Sequence, residues 1–332
     1  MLRSMYSGIS GLRNSQTKLD VIGNNLANVG TTGFKSSRVV FKDMLYQNSS
    51  NAVGASNNLG GSNAKQVGLG VSIGSIDRIM GQGMMQPTGR ALDVAMDGEG
   101  FFMVAKGPVA HEDDDIKLSA DGTIEDAGGR EIFYTRDGSL SLDSEGYLVT
   151  SSGERVLGYT MTNDDGIEGM EADGTINFVD LESEGLEADG GLKTLRIPDS
   201  VAMEDGTTKK VMSYSIGKDG LITAVVEGGE VAVLGQLATA SFKNPEGLEA
   251  VGNNMYLNSS NSGAPLVSSG FGADPDDVRT NGDIIQGMLE MSNVDIAEQF
   301  TDLIVTSRAF QASSKIISTS DEILQDVVNL KR

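Results

Sequence analysis

Apolar residues recur every seven positions at both ends of the chain, and this pattern constrains the fold more than any other feature. Near the start the repeat falls on Met5, Leu12, Leu19 and Leu26, flanked by Ile9. Residues 292–332 contain no Gly or Pro, and their repeat falls on Ile296, Leu303, Phe310, Ile317 and Leu324. Heptad spacing is typical of helices that pair along an apolar seam. The sequence therefore predicts two long terminal helices that pair as one coiled-coil-like domain, formed by 1–30 plus 292–332.

The C-terminal repeat has a second apolar row, made of Ile316, Ile323 and Leu330. Pairing with a single helix would leave this row in contact with solvent. An exposed apolar row of that length favours a further chain that covers it. The sequence leaves two alternatives open, which are self-association through this row and an intramolecular helical hairpin that closes a compact domain.

Local signals predict where the two helices end and begin. Gly30 follows a cluster of Asn residues and is the predicted C-terminal cap of the first helix. Ser292 and Asp295 match a capping box. This match predicts that the second helix starts at Ser292.

Between the helices the sequence has the pattern of antiparallel β structure. Asp-Gly occurs eight times between residues 97 and 220, next to short runs of alternating apolar residues. Asp-Gly is typical of the two-residue turns of β-hairpins. We therefore predict an α+β, multi-domain chain with mostly antiparallel β domains nested between the terminal helices. The predicted parts are a flexible joining segment over 31–70, an inner β domain formed by 71–159 plus 236–291, and an inserted acidic outer β domain over 160–235.

Negative charge is concentrated in the middle of the chain. The whole sequence has 47 acidic and 25 basic residues, a net charge of -22. Residues 1–96 have 4 acidic and 9 basic residues, whereas residues 97–235 have 30 and 10. A chain this acidic is a poor ligand for nucleic acid or for an anionic membrane. We therefore predict no nucleic-acid partner and no membrane insertion, and we interpret the acidic middle as a solvated surface.

The composition argues against catalysis and against bound cofactors. With no Cys and one His, the chain lacks thiolate metal ligands, a Cys nucleophile and most acid–base chemistry. The nearest calcium-loop pattern, 163–166, lacks the alternating ligands and closing Glu of an EF-hand. The acidic run 111–115 is interpreted as a hydrated loop. We predict no enzyme activity and no catalytic, cofactor or metal residues; the competing classes are a β-rich secreted enzyme or adhesin and a calcium-dependent binding module.

Several segments resemble the family of bacterial flagellar axial proteins, which includes the rod and hook proteins. The first segment is MLRSMYSGISGLRNSQTKLDVIGNNLANVGTTGFKSSRVVFKDML, and its signature residues are Asn24, Asn25, Leu26, Ala27, Asn28, Gly33, Phe34 and Lys35. The other segments, in the order expected of the family, are 92–104, 133–159, 242–265 and 287–332. Together they cover about half of the chain.

The resemblance implies a structural subunit of the flagellar hook, exported unfolded and assembled at the tip into a helical tube. Such a tube is a universal joint that transmits torque from rod to filament. The terminal helices would form the inner tube and the β domains the outer layers. The implied location is the hook and basal body, outside the cell, reached without a cleavable signal peptide. The alternative is the distal rod protein, expected to lack most of the central insertion, so that the long middle favours the hook.

The resemblance also implies partners and an export signal. The implied partners are further copies of the chain in a homopolymer, the distal rod protein, the hook cap, the hook–filament junction protein and the flagellar export apparatus. Phe41 and Leu45 match an aromatic-x-x-x-apolar pattern of early export substrates and form a candidate export motif. Ordinary packing after the first helix is the alternative interpretation of these two residues.

Overall fold

The computed structural model describes residues 2–54, 60–109, 116–119, 122–162, 169, 176–180, 187–203, 207–268 and 282–330. Its helices are α1 (Leu2–Ala27), α2 (Ile296–Asn329) and a 3-10 helix at Pro245–Gly247. Its strands are β1 (Ser37–Asp43), β2 (Tyr46–Ser50), β3 (Lys65–Gly68), β4 (Val71–Arg78), β5 (Met85–Pro87), β6 (Val94–Asp97), β7 (Phe101–Lys106), β8 (Ile116–Leu118), β9 (Ile124–Asp126), β10 (Glu131–Thr135), β11 (Ser141–Leu142), β12 (Leu148–Val149), β13 (Arg155–Thr162), β14 (Glu187–Thr194), β15 (Ser200–Ala202), β16 (Thr208–Ile216), β17 (Leu221–Val226), β18 (Val231–Leu237), β19 (Thr239–Ser241), β20 (Glu249–Gly252), β21 (Met255–Leu257), β22 (Leu266–Ser268), β23 (Asp283–Gln286) and β24 (Met288–Glu290). Within the described residues, no helix has a stretch long and apolar enough to cross a bilayer.

The helices α1 and α2 are the long terminal helices that the heptads predict. α2 begins after Asp295, whose carboxylate accepts hydrogen bonds from the N–H groups of Ala297 and Glu298 at 2.8 and 3.3 Å. The predicted start at Ser292 is therefore wrong, because Asp295 itself is the N-cap that satisfies the first free amides of the helix. At the other end of the chain, α1 stops at Ala27 without a left-handed Gly30.

The chain divides into two compact units. Unit 1 comprises residues 1–29, 35–79 and 294–332, and unit 2 comprises residues 30–34 and 80–293. Unit 1 therefore joins both ends of the sequence to the segment that follows α1. Unit 2 contains the acidic middle of the chain.

Unit 1 contains the two terminal helices side by side. They run antiparallel, since Asn25 near the end of α1 donates to Gln299 near the start of α2 at 3.1 Å. A second link is the ion pair between Lys18 Nζ and Asp302 Oδ2 at 2.9 Å. The predicted pairing of the terminal helices is confirmed, whereas coiled-coil geometry stays a prediction.

Unit 1 also contains two pairs of antiparallel strands. β1 pairs antiparallel with β4, with a register shift between Val40 and Phe41, and β2 pairs antiparallel with β3. Three of these four strands lie in the segment 31–70, which the sequence predicts to be a flexible joining segment. Most residues of β1, β2 and β3 are exposed, because a two-stranded ribbon buries little apolar surface.

Unit 2 is built around a sheet of 16 strands within the described residues, with a main path of β15-β16-β17-β18-β13-β7-β10-β21-β20. Its strand pairs are antiparallel, as the Asp-Gly turns predict. β13 crosses the predicted domain boundary at residue 160 and pairs with β7, β14 and β18. The strands within 160–235 thus share a sheet with their neighbours, although the sequence predicts a separate domain there. The mostly β character of the middle is confirmed.

Apolar residues cover both faces of this sheet. Along β7, Phe101, Met103 and Ala105 belong to one buried cluster, whereas Phe102 and Val104 belong to another. Alternation of this kind means that the two clusters lie on opposite faces of the strand. The sheet is therefore the core of unit 2.

Candidate self-assembly surface

Most of the predicted seam residues are half-buried, and of these Ile317 lies against α1 at Gly8. On α1, Met5, Ile9, Leu12, Leu19 and Leu26 are all half-buried. On α2, the half-buried members are Leu303, Phe310, Ile317 and Leu324. Ile296 is the exception, because it lies in the first turn of α2 and is 47% exposed. The heptad pattern thus places nine of the ten predicted seam residues at partly covered positions.

The helices approach each other through small residues, which the heptad analysis missed. The buried residues of α2 are Thr306 and Ser320, both small and polar. On α1, a Cβ atom at Gly8 would lie 3.4 Å from Cγ1 of Ile317, and one at Gly11 would lie 3.2 Å from Oγ of Ser313. The signal in the sequence is the recurrence of Gly and Ser beside the apolar seam. This close contact leaves much of the apolar surface of α2 outside the pair.

A row of exposed apolar residues remains on one face of α2. The predicted second row is exposed, with Ile316 at 46%, Ile323 at 51% and Leu330 at 86%. Two further exposed residues, Val305 and Val327, extend it, and at about 100° per residue all five fall within roughly 60° around the helix. We call these five residues the outer row of α2. An exposed row of this kind is typical of a surface that another chain covers.

The Asn residues of the family signature hold the end of α1. Asn25 is 1% exposed, and its Nδ2 donates to the carbonyl oxygen of Ser37 at 2.8 Å. Its Oδ1 accepts from the N–H group of Ser37 at 3.0 Å. Asn28 Nδ2 donates to the carbonyl oxygen of Asn24 at 2.9 Å, so these two Asn residues close the last turn. Leu26 lies half-buried and Ala27 exposed between them.

The second half of the signature is a turn that needs glycine. Gly33 has φ +66°, and a Cβ atom there would lie 2.8 Å from the backbone nitrogen of Asp137. Its N–H group donates to the carbonyl oxygen of Glu290 at 2.8 Å. Phe34 is half-buried, and Lys35 is 1% exposed. The hydrogen-bonded Asn residues and Gly33 of the signature therefore have structural roles in this fold.

A buried ion pair lies beside this turn in unit 2. Arg136 Nη1 is 3.3 Å from Glu290 Oε2, and the two side chains are 4% and 1% exposed. Arg136 also donates to the carbonyl oxygen of Gly98 at 2.8 Å, and Glu290 accepts from the N–H group of Gly83 at 2.8 Å. Burial lowers the pKa of Arg136, and the charge of Glu290 opposes this shift. Sequence reasoning missed this pair, because its members lie far apart in the chain.

The residue after Arg136, Asp137, has a carboxyl group whose pKa is raised by burial. Hydrogen bonds from the N–H group of Ser139 and the hydroxyl of Thr32 oppose this shift. The donor distances to Asp137 Oδ1 are 3.1 Å from Ser139 and 2.9 Å from Thr32. Because these hydrogen bonds connect Asp137 to the turn at Thr32, we assign Asp137 a structural role.

The described residues contain no group of three or more His, Cys, Asp or Glu side chains that could hold a metal ion. The two segments considered for calcium, 111–115 and 163–166, lie outside the described residues. Of the candidate export motif, Phe41 lies in β1 and is 40% exposed, and Leu45 follows β1 and is 81% exposed.

Three family models match separate parts of the chain. They are "Flagella basal body rod protein" over residues 5–35, "Flagellar hook protein FlgE/F/G D1 domain" over 123–224, and "Flagellar basal body rod FlgEFG protein C-terminal" over 285–330. The first match contains most of α1, and the last contains all of α2. The middle match covers much of the 16-stranded sheet.

Relatives match over the full length of the chain. Flagellar basal-body rod protein FlgG of Bacillus subtilis (strain 168) is 42% identical over 332 residues, covering 100% of both chains. FlgG of Borreliella burgdorferi is 32% identical over 338 residues, and flagellar hook protein FlgE of the same organism is 29% identical over 469, each covering 100% of both chains. The crystal structure of Helicobacter pylori flagellar hook protein FlgE2 aligns at 11% identity with a TM-score of 0.39, covering 62% of this chain and 100% of that one.

The rod relatives correct the expectation about chain length. A rod protein was expected to lack most of the central insertion, yet FlgG of Bacillus subtilis aligns with all of this chain along all of its own. The long middle therefore does not favour the hook. The relatives are structural proteins of the flagellum rather than enzymes. The chain belongs to the family of flagellar basal-body rod and hook proteins.

Proposed function

We propose that this chain is a subunit of the distal rod of the flagellar basal body and assembles with copies of itself into a helical tube. The observation that carries the proposal is the equal length of this chain and the rod relatives. Four FlgG relatives align over 332 to 338 residues with 99% or 100% of this chain. Two FlgE hook relatives align over 469 and 491 residues, so they contain long segments that this chain lacks.

The outer row of α2 supports assembly between copies. Its side chains lie on one face of α2, so a single contact surface of another copy can cover all five. Burying a half-exposed Ile or Val contributes about 1 kcal/mol at about 25 cal/mol per Å². Contacts between different surfaces of identical subunits continue without closing and generate helical polymers. In such a tube we propose that the terminal helices form the inner tube and that α1 and α2 pack as a coiled coil.

A flagellar hook subunit is the second candidate. It is favoured by the family model over residues 123–224, whose description names the hook protein, and by the hook relatives that align with the whole chain. In this case the tube is a universal joint between rod and filament. For either structure we propose export without a cleavable signal peptide, and contacts with the neighbouring axial proteins, the hook cap, the hook–filament junction protein and the export apparatus.

Electron microscopy of basal bodies from a strain that lacks this gene distinguishes the two candidates. A distal rod subunit predicts basal bodies with a truncated rod and no hook. If the deletion strain instead makes complete rods without hooks, the hook subunit replaces the rod subunit as the proposed function. A strain complemented with the intact gene is the control, and normal rods and hooks in the deletion strain would exclude both functions.

A further inference from the structure

We propose that Asp137 and Asn254 form a docking site in unit 2 for the turn at Thr32 and Gly33, and that filling this site stabilises the assembled polymer rather than the fold of unit 2. The second half of the inference rests on the proposed function, because it concerns the polymer. The docking site itself is a feature of the β structure of unit 2.

Hydrogen bonds within unit 2 hold the two side chains of the docking site beside each other. Thr135, at the end of β10, is 2% exposed, and its hydroxyl donates to the carbonyl oxygen of Asn254 at 2.9 Å. The same hydroxyl accepts from the N–H group of Asp137 at 3.0 Å. The N–H group of Ser139 donates to Asp137 Oδ1 at 3.1 Å. All four residues lie between 135 and 254, so this arrangement does not depend on the terminal segments.

Asn254 lies in the tight turn between β20 and β21. Asn253 and Asn254 have φ of +52° and +59°, the left-handed values that the two central residues of a type I′ turn require. Asn adopts this backbone more readily than most residues that have a Cβ atom. The turn therefore fixes the position from which the carboxamide of Asn254 reaches Thr32.

The turn at Thr32 presents a complementary pair of polar groups to the docking site. Its hydroxyl donates to Asp137 Oδ1 at 2.9 Å, and its carbonyl oxygen accepts from Asn254 Nδ2 at 2.8 Å. Gly33 lies against the backbone beside Asp137, where a Cβ atom would be 2.9 Å from the carbonyl carbon of Arg136. The site therefore fits a residue with a hydroxyl group followed by Gly.

The position of this turn in the chain connects the docking site to assembly. Residues 30–34 belong to unit 2, whereas the segments before and after them belong to unit 1, which contains α1 and α2. Two hydrogen bonds to the half-buried Thr32 add little to a sheet whose two faces are already covered. In a helical polymer every copy has to make the same contacts, and a filled docking site fixes the point at which the chain leaves unit 2.

Sedimentation of the purified full chain tests the proposal through the critical concentration for assembly. Thr32→Val is expected to raise this concentration about two- to tenfold, because it removes the hydroxyl and with it one hydrogen bond. Thr32→Ser keeps the hydroxyl and is expected to stay near the parent value. An equal critical concentration for Thr32→Val and Thr32→Ser would overturn the proposal.

The Asn-Asn turn provides a matched pair of variants on the other side of the contact. Glycine suits both left-handed positions, but only Asn254→Gly removes the amide that binds Thr32. Asn254→Gly is expected to raise the critical concentration about two- to tenfold. Asn253→Gly changes an exposed side chain and is expected to leave it unchanged.

Thermal unfolding of the unassembled chain, followed by the β-sheet circular dichroism signal, separates assembly from folding. Thr32→Val and Thr32→Ser are expected to have the same midpoint as the parent chain. A lower midpoint for Thr32→Val alone would overturn the proposal, because the hydroxyl would then stabilise unit 2 itself.

Chemical cross-linking shows whether the turn fills the docking site in the polymer. The chain has no Cys, so the thiols of a Thr32→Cys, Asn254→Cys double variant are the only ones in it. In basal bodies from cells that make both this variant and the parent chain, a short bis-maleimide is expected to link the two positions within one chain. The same variant unfolded in urea is the control.

Two cross-linking results would overturn the docking site. One is a yield no higher than in urea, and the other is a link that forms between copies rather than within one chain. Basal bodies from which the chain is absent would overturn the proposed function, and the stabilisation of the polymer with it.

Discussion

Glycine positions in α1 set how closely the two terminal helices approach each other. A Cβ atom at Gly8 would contact Ile317 and the backbone oxygen of Ser313 at 3.4 and 3.5 Å. At Gly23, on the same helix, no atom lies within 4 Å of such a Cβ atom. The two positions share a helical backbone and differ in their surroundings, so side-chain size is expected to matter at only one of them.

Gly8→Leu is expected to destabilise unit 1 by about 1–3 kcal/mol, because the added side chain overfills the contact with α2. Gly23→Leu is expected to stabilise it by roughly 0.5–1 kcal/mol, because leucine is the better helix former and no neighbour obstructs it. Urea unfolding followed by the helical circular dichroism signal measures both effects. Equal stabilisation by the two substitutions would contradict close packing at Gly8.

The turn at Gly33 makes a separate prediction. Gly33 and Gly129 have similar left-handed backbones, with φ of +66° and +73°, but a Cβ atom at Gly129 would meet no atom within 4 Å. Gly129→Ala is expected to cost about 1–2 kcal/mol from backbone conformation alone. Gly33→Ala is expected to cost at least about 1 kcal/mol more, because its Cβ would collide with the backbone of Asp137. Chemical unfolding of both variants measures the two losses of unfolding free energy. Equal losses would show that the backbone around Gly33 shifts to accommodate the added Cβ atom.

At the scale of the element, two sides of α2 differ in their side chains and in their exposure. The side facing α1 includes the small polar residues Thr306 and Ser320, whereas the outer row is apolar and exposed. Ile316 borders both sides, because it is 46% exposed and a Cβ atom at Gly8 would lie 3.6 Å from its Cγ2. Ile323 and Val327 of the outer row therefore provide the better comparison with half-buried Ile317.

Ile323→Ser combined with Val327→Ser is expected to leave the unfolding free energy of the unassembled chain within about 0.5 kcal/mol of the parent value, as for most exposed positions. The same pair is expected to raise the critical concentration for assembly at least tenfold. Ile317→Ser is expected instead to destabilise the chain by about 1–3 kcal/mol, through lost packing against α1. Sedimentation and urea unfolding measure the two quantities, and unaltered assembly of the double variant would exclude the outer row as the contact.

Periodicity alone predicts the helices, the half-buried seam and the exposed row, because each depends on residues three, four or seven positions apart. It does not predict the N-cap at Asp295, since both Ser292 and Asp295 have suitable side chains and only the path of the chain selects one. The strands inside 31–70 and the ion pair between Arg136 and Glu290 depend on pairings across distant parts of the chain. One sequence carries no local signal for such pairings.

At the scale of the whole molecule, charge differs sharply between the units. Unit 1 has 12 basic and 9 acidic residues, and unit 2 has 13 basic and 38 acidic residues. Each copy that joins an assembly adds the net negative charge of unit 2 to it. Like-charge repulsion then opposes assembly over a Debye length, which falls from about 30 Å at 0.01 M salt to about 10 Å at 0.1 M.

Assembly of the purified chain is therefore expected to strengthen with salt, with a critical concentration several-fold lower at 0.1 M NaCl than at 0.01 M. Sedimentation across a salt series measures it. A matched series in sucrose controls for general effects of the solution. A critical concentration that rises with salt would indicate that attraction between opposite charges drives assembly instead.

Hydroxyl-radical footprinting before and after assembly tests most directly whether another copy covers the outer row of α2. Ile316, Ile323, Val327 and Leu330 are exposed in the single chain, so they are expected to react with the radical before assembly. In the polymer their modification is expected to fall at least fivefold, while half-buried Ile317 changes little. Equal reactivity of the outer row in both states would contradict an assembly built on this surface.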